Sequence, residues 1–361
     1  MTRPSSLADL ATIFDSQSIS GTRNRIINGD MRIDQRNAGA SVAVSGSIFT
    51  LDRWGAVATQ TSRFTVQQNA GSVTPPAGFS RYLGVTSSSA YSILSTDLFR
   101  VSQSIEGFNI SDFAWGTADA RPVTLSFWVR SSLTGSFSVC LQNSANTRAY
   151  PILYTINSAN TWQFVTITIP GETSGTWAQD NSLGVLIQWG LGVGSTKTAT
   201  SGAWATGDFN AAPGAVSVVG TNGATFYLTG VQLEAGPFAT PFERRSFGQE
   251  LALCQRYYQK TFPLATVPAS NLGTAGAVFG SSSVNNVSFT VTRAFLVQMR
   301  AAPTMTYFSP NQAGSNWSEQ SGFVPTVADL GATDSSVSIR ATTSIAAGGA
   351  HSIHFTAAIE L

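Results

Sequence analysis

The chain has 361 residues and is 42% hydrophobic but only 11% charged, against about 25% charged residues in an average soluble domain. Lysine and arginine (20) balance aspartate and glutamate (19), and no basic stripe is present, which argues against a nucleic-acid partner. No apolar run approaches the roughly 18–20 residues that a membrane span requires, so membrane insertion is not expected. The 33 glycines, with many Ser, Thr and Asn residues, favour β-strands joined by tight turns.

The N-terminal residues do not have the pattern of a secretory signal peptide, because Asp9 and Asp15 interrupt them and no continuous apolar segment is present. The two cysteines, Cys140 and Cys254, cannot build a disulfide framework. We therefore expect two reduced thiols in a protein made in a cytoplasm.

Residues 1–24 are predicted to form an N-terminal arm. Ser6 followed by Asp9 resembles a helix-capping box, and the apolar residues after it are spaced for one face of a short helix. Those apolar residues are Leu7, Leu10 and Phe14. Because a helix of two or three turns is unstable alone, we expect this arm to dock on its own domain or on a partner particle.

Residues 25–246 carry the signals of a β-sandwich. Several short segments alternate apolar and polar residues and are separated by Gly, Asn, Ser and Pro clusters, which is typical of a sandwich or jelly roll. The clearest of these segments are Thr124–Arg130, Gln163–Pro170, Gly184–Gly190 and Thr225–Glu234.

The pattern changes to helix formers over residues 247–261, and strand signals return in a C-terminal β domain at 262–361. Four apolar or aromatic residues in the helical segment are spaced 4, 3 and 4 apart, which is a heptad-like stripe. They are Phe247, Leu251, Cys254 and Tyr258. We expect this stripe to pack around the axis of a homotrimer; the alternative is that the helix lies on its own sandwich.

Two sequence blocks indicate a family. The first is Asn24–Arg36, NRIINGDMRIDQR, followed by Asp52-Arg53-Trp54; the second is Thr225–Gln259, with VQLEAGPFATPFERRSFGQELALCQRYYQ. Together they resemble the fibre and receptor-binding proteins of tailed bacteriophages. The resemblance implies a homotrimeric virion protein, made in the bacterial cytoplasm and placed in the tail or on the head. It also implies that the arm binds other virion proteins and that the β domains contact a host-surface glycan.

The ends of the sandwich also resemble jelly-roll carbohydrate-binding modules, with Ile26–Ile33 as the first strand and Phe226–Leu233 as the last. In such modules an acidic residue of the last strand can help to hold a structural Ca²⁺. Thr229 stands at that place here, and Ca²⁺ sites usually need carboxylates. A calcium site is therefore in doubt, and no other metal or cofactor is expected.

Aromatic rings are the expected platform for a glycan, because a pyranose stacks its C–H face on a ring while amides bind its hydroxyl groups. The alternative for each ring is packing in the sandwich core or at a subunit interface. Trp128 falls on the polar face of its strand, and Trp189 lies beside Gln188 in a glycine-flanked strand. The candidate glycan-binding residues are Trp128, Trp189, Gln188 and Trp177.

Catalysis has little support in the sequence, so the protein is not expected to be an enzyme. His351 and His354 fall on opposite faces of a predicted strand, and no metalloprotease, nucleophile-elbow or clustered Cys/His motif is present. Two alternatives to a glycan-binding fibre stay open. One is a structural head fibre, collar or decoration protein with no host ligand, and the other is a polysaccharide-degrading tailspike.

Overall fold

The computed structural model describes residues 23–319, 325–342, 345 and 347–361. Over these ranges the chain forms antiparallel β-sheets with one α-helix and a few 3-10 turns, which confirms the predicted mainly β fold class. No helix in this part of the chain is long and apolar enough to cross a membrane. The predicted arm, with Leu7, Leu10 and Phe14, lies outside the described residues.

The strands between residues 42 and 235 form two sheets packed face to face. In chain order they are β1 (Val42–Ala43), β2 (Gly46–Phe49), β3 (Gly55–Ala58), β4 (Phe64–Gln68), β5 (Leu83–Ser87), β6 (Leu98–Glu106), β7 (Val123–Ser131), β8 (Gly135–Asn143), β9 (Arg148–Ile156), β10 (Gln163–Ile169), β11 (Leu183–Val193), β12 (Ala205–Thr206) and β13 (Thr225–Ala235). Short 3-10 turns lie at Ala70–Ser72, Gly107–Asn109, Ser111–Phe113 and Ser195–Lys197.

The first sheet has the strand order β1-β4-β5-β13-β7-β10, and the second sheet has the order β12-β9-β8-β11-β6-β3-β2. The chain crosses between the sheets repeatedly, since β7, β10 and β13 belong to the first sheet and the strands between them belong to the second. This connectivity is that of a jelly-roll sandwich, the architecture predicted from the alternating segments.

The core lies between the two sheets and is filled by the inward-facing residues of each strand. Leu125, Phe127 and Val129 of β7 are fully buried, as their alternation with polar residues predicts. Trp54 and Trp189 meet at the centre with ring centroids 5.6 Å apart, and Phe127 lies edge-on to Trp189 at 5.5 Å. Buried aromatic pairs of this geometry contribute about 0.5–1.5 kcal/mol each beyond the burial of their area.

The N-terminal block is not the predicted strand Ile26–Ile33. Asn28 and Met31 adopt left-handed backbone angles, with φ of 56° and 59°, which an extended strand does not contain. The Asn28 side chain accepts a hydrogen bond from the Ile33 amide at 3.0 Å and donates one to the Asp52 carbonyl at 3.0 Å. The block is therefore a loop. The Asn28 side chain bonds within the loop, to Ile33, and also to Asp52 at the start of the Asp-Arg-Trp segment.

Helix α1 (Phe247–Gln255) is shorter than the predicted 247–261. A capping box opens it, because Ser246 and Gln249 exchange side-chain and backbone hydrogen bonds. Residues 258–260 form a strand instead, since Tyr258 pairs with Ala358 near the C-terminal end of the chain. Strand pairing therefore overrides the helical propensity of the last residues of the segment.

The C-terminal unit contains the remaining strands. In chain order they are β14 (Tyr258–Lys260), β15 (Val278–Gly280), β16 (Phe289–Ala294), β17 (Thr304–Phe308), β18 (Val327–Ala332), β19 (Ser336–Ala341) and β20 (His351–Ala358). Strand β20 pairs with β14, β15 and β17, while β19 lies between β16 and β18. Trp317, Ile353 and Phe355 are buried in the core of this unit, which is separate from the sandwich core.

A buried polar junction joins the two units. Glu106, at the end of β6, accepts two hydrogen bonds from the Arg256 guanidinium at 2.8 and 2.9 Å and one from the Tyr257 hydroxyl at 2.5 Å. The Arg53 guanidinium is fully buried, lies 3.4 Å from the centroid of the Tyr257 ring and pairs with Glu360. We call these five residues the junction; burial among them raises the pKa of Tyr257.

Replacing Glu106 by Ala should lower the free energy of unfolding by about 3 kcal/mol, because it removes the acceptor of three buried or half-buried donors. The matched control is Asp112→Ala, which removes the exposed partner of Arg25 and should cost less than about 1 kcal/mol. Urea unfolding followed by tryptophan fluorescence measures both changes. Equal losses in the two variants would contradict the importance of the junction.

Candidate functional site

Trp128 lies on the outer face of the first sheet, as predicted. It is half-buried on β7 and pairs across the sheet with Phe164 of β10 on one side and Thr229 of β13 on the other. The Trp128 and Phe164 ring centroids are 5.3 Å apart, and Phe164 is 46% exposed. Two neighbouring strands thus present adjoining rings toward solvent.

These rings form part of an open cavity of about 510 Å³, which we call the aromatic cleft. Its walls are mostly apolar, with hydroxyl groups and one guanidinium among them. The lining residues are Phe79, Ser126, Trp128, Phe164, Gly230, Ala239, Thr240, Pro241, Phe242 and Arg244. Apolar walls with a few polar groups are typical of small-ligand sites.

A bulge in β13 shapes the floor of the cleft. The register between β13 and β7 shifts between Thr229 and Gln232, and Gly230 within the bulge has a φ of 61°. A Cβ atom on Gly230 would lie 2.7 Å from Phe79 Cζ and 3.1 Å from Trp128 Cδ1. Only glycine therefore allows both the left-handed backbone and the close approach of the two rings.

The segment after β13 folds back over the sheet and closes one side of the cleft. Glu234, whose side chain is 1% exposed, accepts hydrogen bonds from the Thr240 amide at 2.9 Å and the Thr240 hydroxyl at 2.6 Å. Gln232 donates to the same carboxylate at 2.8 Å. The Val-Gln-Leu-Glu motif therefore holds the turn that brings Pro241 and Phe242 into the cleft.

Two of the predicted glycan-binding residues are not on the surface, and those predictions are wrong. Trp189 has no exposed area, because alternation along β11 turns its ring into the core. Gln188 points the opposite way, yet it is also fully buried, because residues 208–210 cover the outer face of the second sheet. There its amide contacts Arg100 and Gln142.

Trp177, the third residue predicted to bind glycan, is also buried. It is 7% exposed and lies in a cluster of three indole rings. Its ring centroid lies 4.7 Å from that of Trp115 and 5.6 Å from that of Trp204. Trp177 and Trp189 therefore pack in the interior, which was the alternative for each ring, and Trp128 alone among the predicted rings reaches the cleft.

The helical stripe is divided between the chain's own interior and its surface. Cys254 is fully buried against Ile27, Ile33 and Tyr257 of the same chain, and Tyr258 is buried in β14, so neither can form a trimer seam. Leu251 is half-buried beside the same cluster. Phe247 remains 43% exposed and is the part of the stripe that a partner can reach.

Both histidines are buried in β20 and serve packing. His354 stacks on Phe262 at 4.0 Å and contacts the Thr261 hydroxyl at 2.8 Å, and burial lowers its pKa. Within the described ranges, no group of three or more His, Cys, Asp or Glu residues is placed to hold a metal ion. The Thr229 hydroxyl, at the position where related modules can carry a calcium-binding carboxylate, donates to the Arg81 carbonyl at 2.7 Å.

No protein-family model matches the chain, and no curated protein sequence matches it. Among solved structures, the chain is similar to the enzymatically active domain of tailspike protein 4 from bacteriophage CBA120, with 14% identity and a TM-score of 0.33 over 59% of this chain. It is also similar to a putative sugar-binding protein from Bacteroides thetaiotaomicron, with 14% identity and a TM-score of 0.34 over 59% of this chain and 100% of that one.

A third similar structure is a family 61 carbohydrate-binding module in complex with β-1,4-galactotriose, with 10% identity and a TM-score of 0.30. It is matched over 60% of this chain and 100% of the module. The chain spans 21% of the length of the phage tailspike chain.

Replacing Gly230 by Ala should cost about 1–3 kcal/mol of stability and displace the Phe79 and Trp128 rings, since the new Cβ meets both. The matched control is Gly223→Ala, at a φ of 73° with no atom within 4 Å of the new Cβ. Urea unfolding gives the stability, and near-ultraviolet circular dichroism reports the ring environment. The same spectrum for both variants would contradict the role of Gly230.

Proposed function

We propose that this protein is a structural fibre protein of a tailed-phage virion and that its aromatic cleft binds a host-surface glycan. The observation that carries the glycan proposal is the exposed pair of rings, Trp128 and Phe164, at the mouth of an open, mostly apolar cavity. The phage proposal rests on the two sequence blocks, Asn24–Arg36 and Thr225–Gln259, that resemble the fibre family. These blocks meet in the fold, because the backbone amide of Asn28 in the first block donates a hydrogen bond to the Glu250 carboxylate in the second.

A sugar ring in the cleft would stack its C–H face on Trp128 or Phe164 and direct its hydroxyl groups to the polar rim. One stacked ring contributes about 1 kcal/mol beyond simple burial, by analogy with aromatic pairs. A single site should therefore bind weakly, near millimolar. Several copies on one particle raise the apparent affinity because linked sites act at a high effective concentration.

The trimer and the virion contacts belong to the same proposal. The arm of residues 1–24 would attach the protein to other virion proteins, in the tail or on the head. The exposed Phe247 at the start of α1 would be an apolar contact between the three copies. A structural head fibre, collar or decoration protein is the alternative if the cleft binds no glycan.

Replacing Trp128 or Phe164 by Ala should weaken glycan binding at least about tenfold while leaving the protein folded, since both side chains are on the surface. The assay is binding of the purified protein to an array of bacterial surface polysaccharides. Phe108→Ala is the control, because it removes a ring that is 59% exposed away from the cleft. Full binding by the Trp128 variant, or no binding by the unmodified protein, would reject the cleft as a glycan site.

Replacing Phe247 by Glu should convert trimers to monomers, because a charge would enter the proposed contact between copies. Phe108→Glu places the same charge on a remote exposed ring and should leave the trimer intact. Sedimentation velocity measures both. A monomeric unmodified protein, or a trimer that persists with Glu at position 247, would contradict the proposed seam.

A further inference from the structure

Arg244 is a guanidinium at the cleft without an anionic partner. It lies over the Phe79 ring at 4.8 Å and the Phe242 ring at 5.6 Å, and the residue is exposed. Within the described part of the chain it has no ion pair and no side-chain hydrogen bond. Its neighbour Arg245 is different, since it is held by Glu250 and by the Ile26 carbonyl.

The acidic residues beside the cleft are already engaged. Glu234 is buried and pairs with Arg23 at 3.4 Å in addition to its bonds with Thr240. Glu243 accepts from the Asn24 amide and lies 3.8 Å from Arg245. Neither carboxylate is therefore free to neutralise Arg244.

Two more arginines lie near the cleft, Arg130 on the same face of the first sheet and Arg81 in the segment before β5. Arg130 follows Trp128 by two residues on β7, and its guanidinium lies over Tyr227 and donates to the Asn160 carbonyl at 2.9 Å. Arg81 is exposed, and its backbone carbonyl accepts a hydrogen bond from the Thr229 hydroxyl. In the described ranges neither forms an ion pair, so the face around the cleft carries uncompensated positive charge.

This arrangement favours an anionic ligand. A guanidinium binds carboxylate or phosphate with two parallel hydrogen bonds, and these charge-assisted bonds are stronger than bonds to neutral hydroxyl groups. The stacking of Arg244 on Phe79 and Phe242 limits its freedom before binding, so less entropy is lost when an anion arrives. The Phe79 ring also approaches the Trp128 side of the cleft at Gly230, so the cation and the stacking platform adjoin.

We infer that the glycan taken by the aromatic cleft is acidic, with a carboxylate or phosphate group that pairs with Arg244 while a sugar ring stacks on Trp128. This inference rests on the proposed glycan-binding function and specifies its ligand class. Carboxylate and phosphate present the same chemistry to a guanidinium, and matched polymers distinguish them.

The test is affinity electrophoresis of the full chain in native gels that contain one of four polymers. These are polygalacturonate, its carboxyl-reduced form, phosphomannan and dephosphorylated mannan. We expect retardation by an acidic polymer and much less by its neutral counterpart. Trp128→Ala should abolish the retardation, and Arg244→Gln should weaken it about tenfold, the loss expected for a charge-assisted hydrogen bond.

Arg293→Gln is the matched control, because Arg293 is an exposed residue of β16 and its loss changes the net charge equally. Retardation that depends on Trp128 but is equal for acidic and neutral polymers would overturn the acidic ligand and keep the glycan site. Equal effects of the Arg244 and Arg293 variants would show nonspecific attraction and overturn the inference. Retardation by none of the four polymers would overturn it as well and count against the glycan site itself.

Discussion

The burial of the Arg53 guanidinium is the constraint on which the arrangement of the two β units depends. A buried cation costs several kcal/mol unless its donors and its charge are matched. Arg53 obtains Glu360 as its counter-ion, the Ser104 carbonyl as an acceptor at 2.5 Å and the Tyr257 ring as a stacking surface. These groups belong to the sandwich, to the segment after α1 and to the C-terminal end, so separating the two units would leave the charge unmatched.

The polar residues of the two sequence blocks serve this same packing. Gln35 donates to both Asp52 and the Tyr258 carbonyl, at 2.6 and 3.2 Å, and burial raises the pKa of Asp52 to about 6. The Lys260 ammonium donates to the carbonyls of three residues, among them Gln35 at 2.6 Å. The two sequence blocks therefore hold the fold together, and the second block also supplies six of the ten residues that line the cleft, namely Gly230, Ala239, Thr240, Pro241, Phe242 and Arg244.

Alternation along the strands was sufficient to predict the sandwich and the two faces of β7, because Leu125, Phe127 and Val129 face one way and Trp128 the other. It could not predict the burial of Gln188, because both faces of β11 are covered, one by the core and the other by residues 208–210, which fold back over the outer face. The strand expected at Ile26–Ile33 came from the resemblance to carbohydrate-binding modules and not from alternation, since Ile26 and Ile27 are adjacent. In the structure the Asn28 side chain bonds to Ile33 and Asp52 and holds the segment as a loop.

The rest of the cleft could be found only by combining strand register with the path of the chain after β13. Phe164 faces Trp128 because β10 pairs with β7 in that register, whereas Phe79, Phe242 and Arg244 come from connecting segments. The position of Arg244 depends on its neighbour, Arg245. Arg245 points inward, where its side chain is 8% exposed and bonds to the Ile26 carbonyl at 3.0 Å. Because Arg245 is anchored to Glu250 and the Ile26 carbonyl, the backbone beside it is fixed where Arg244 lines the cleft.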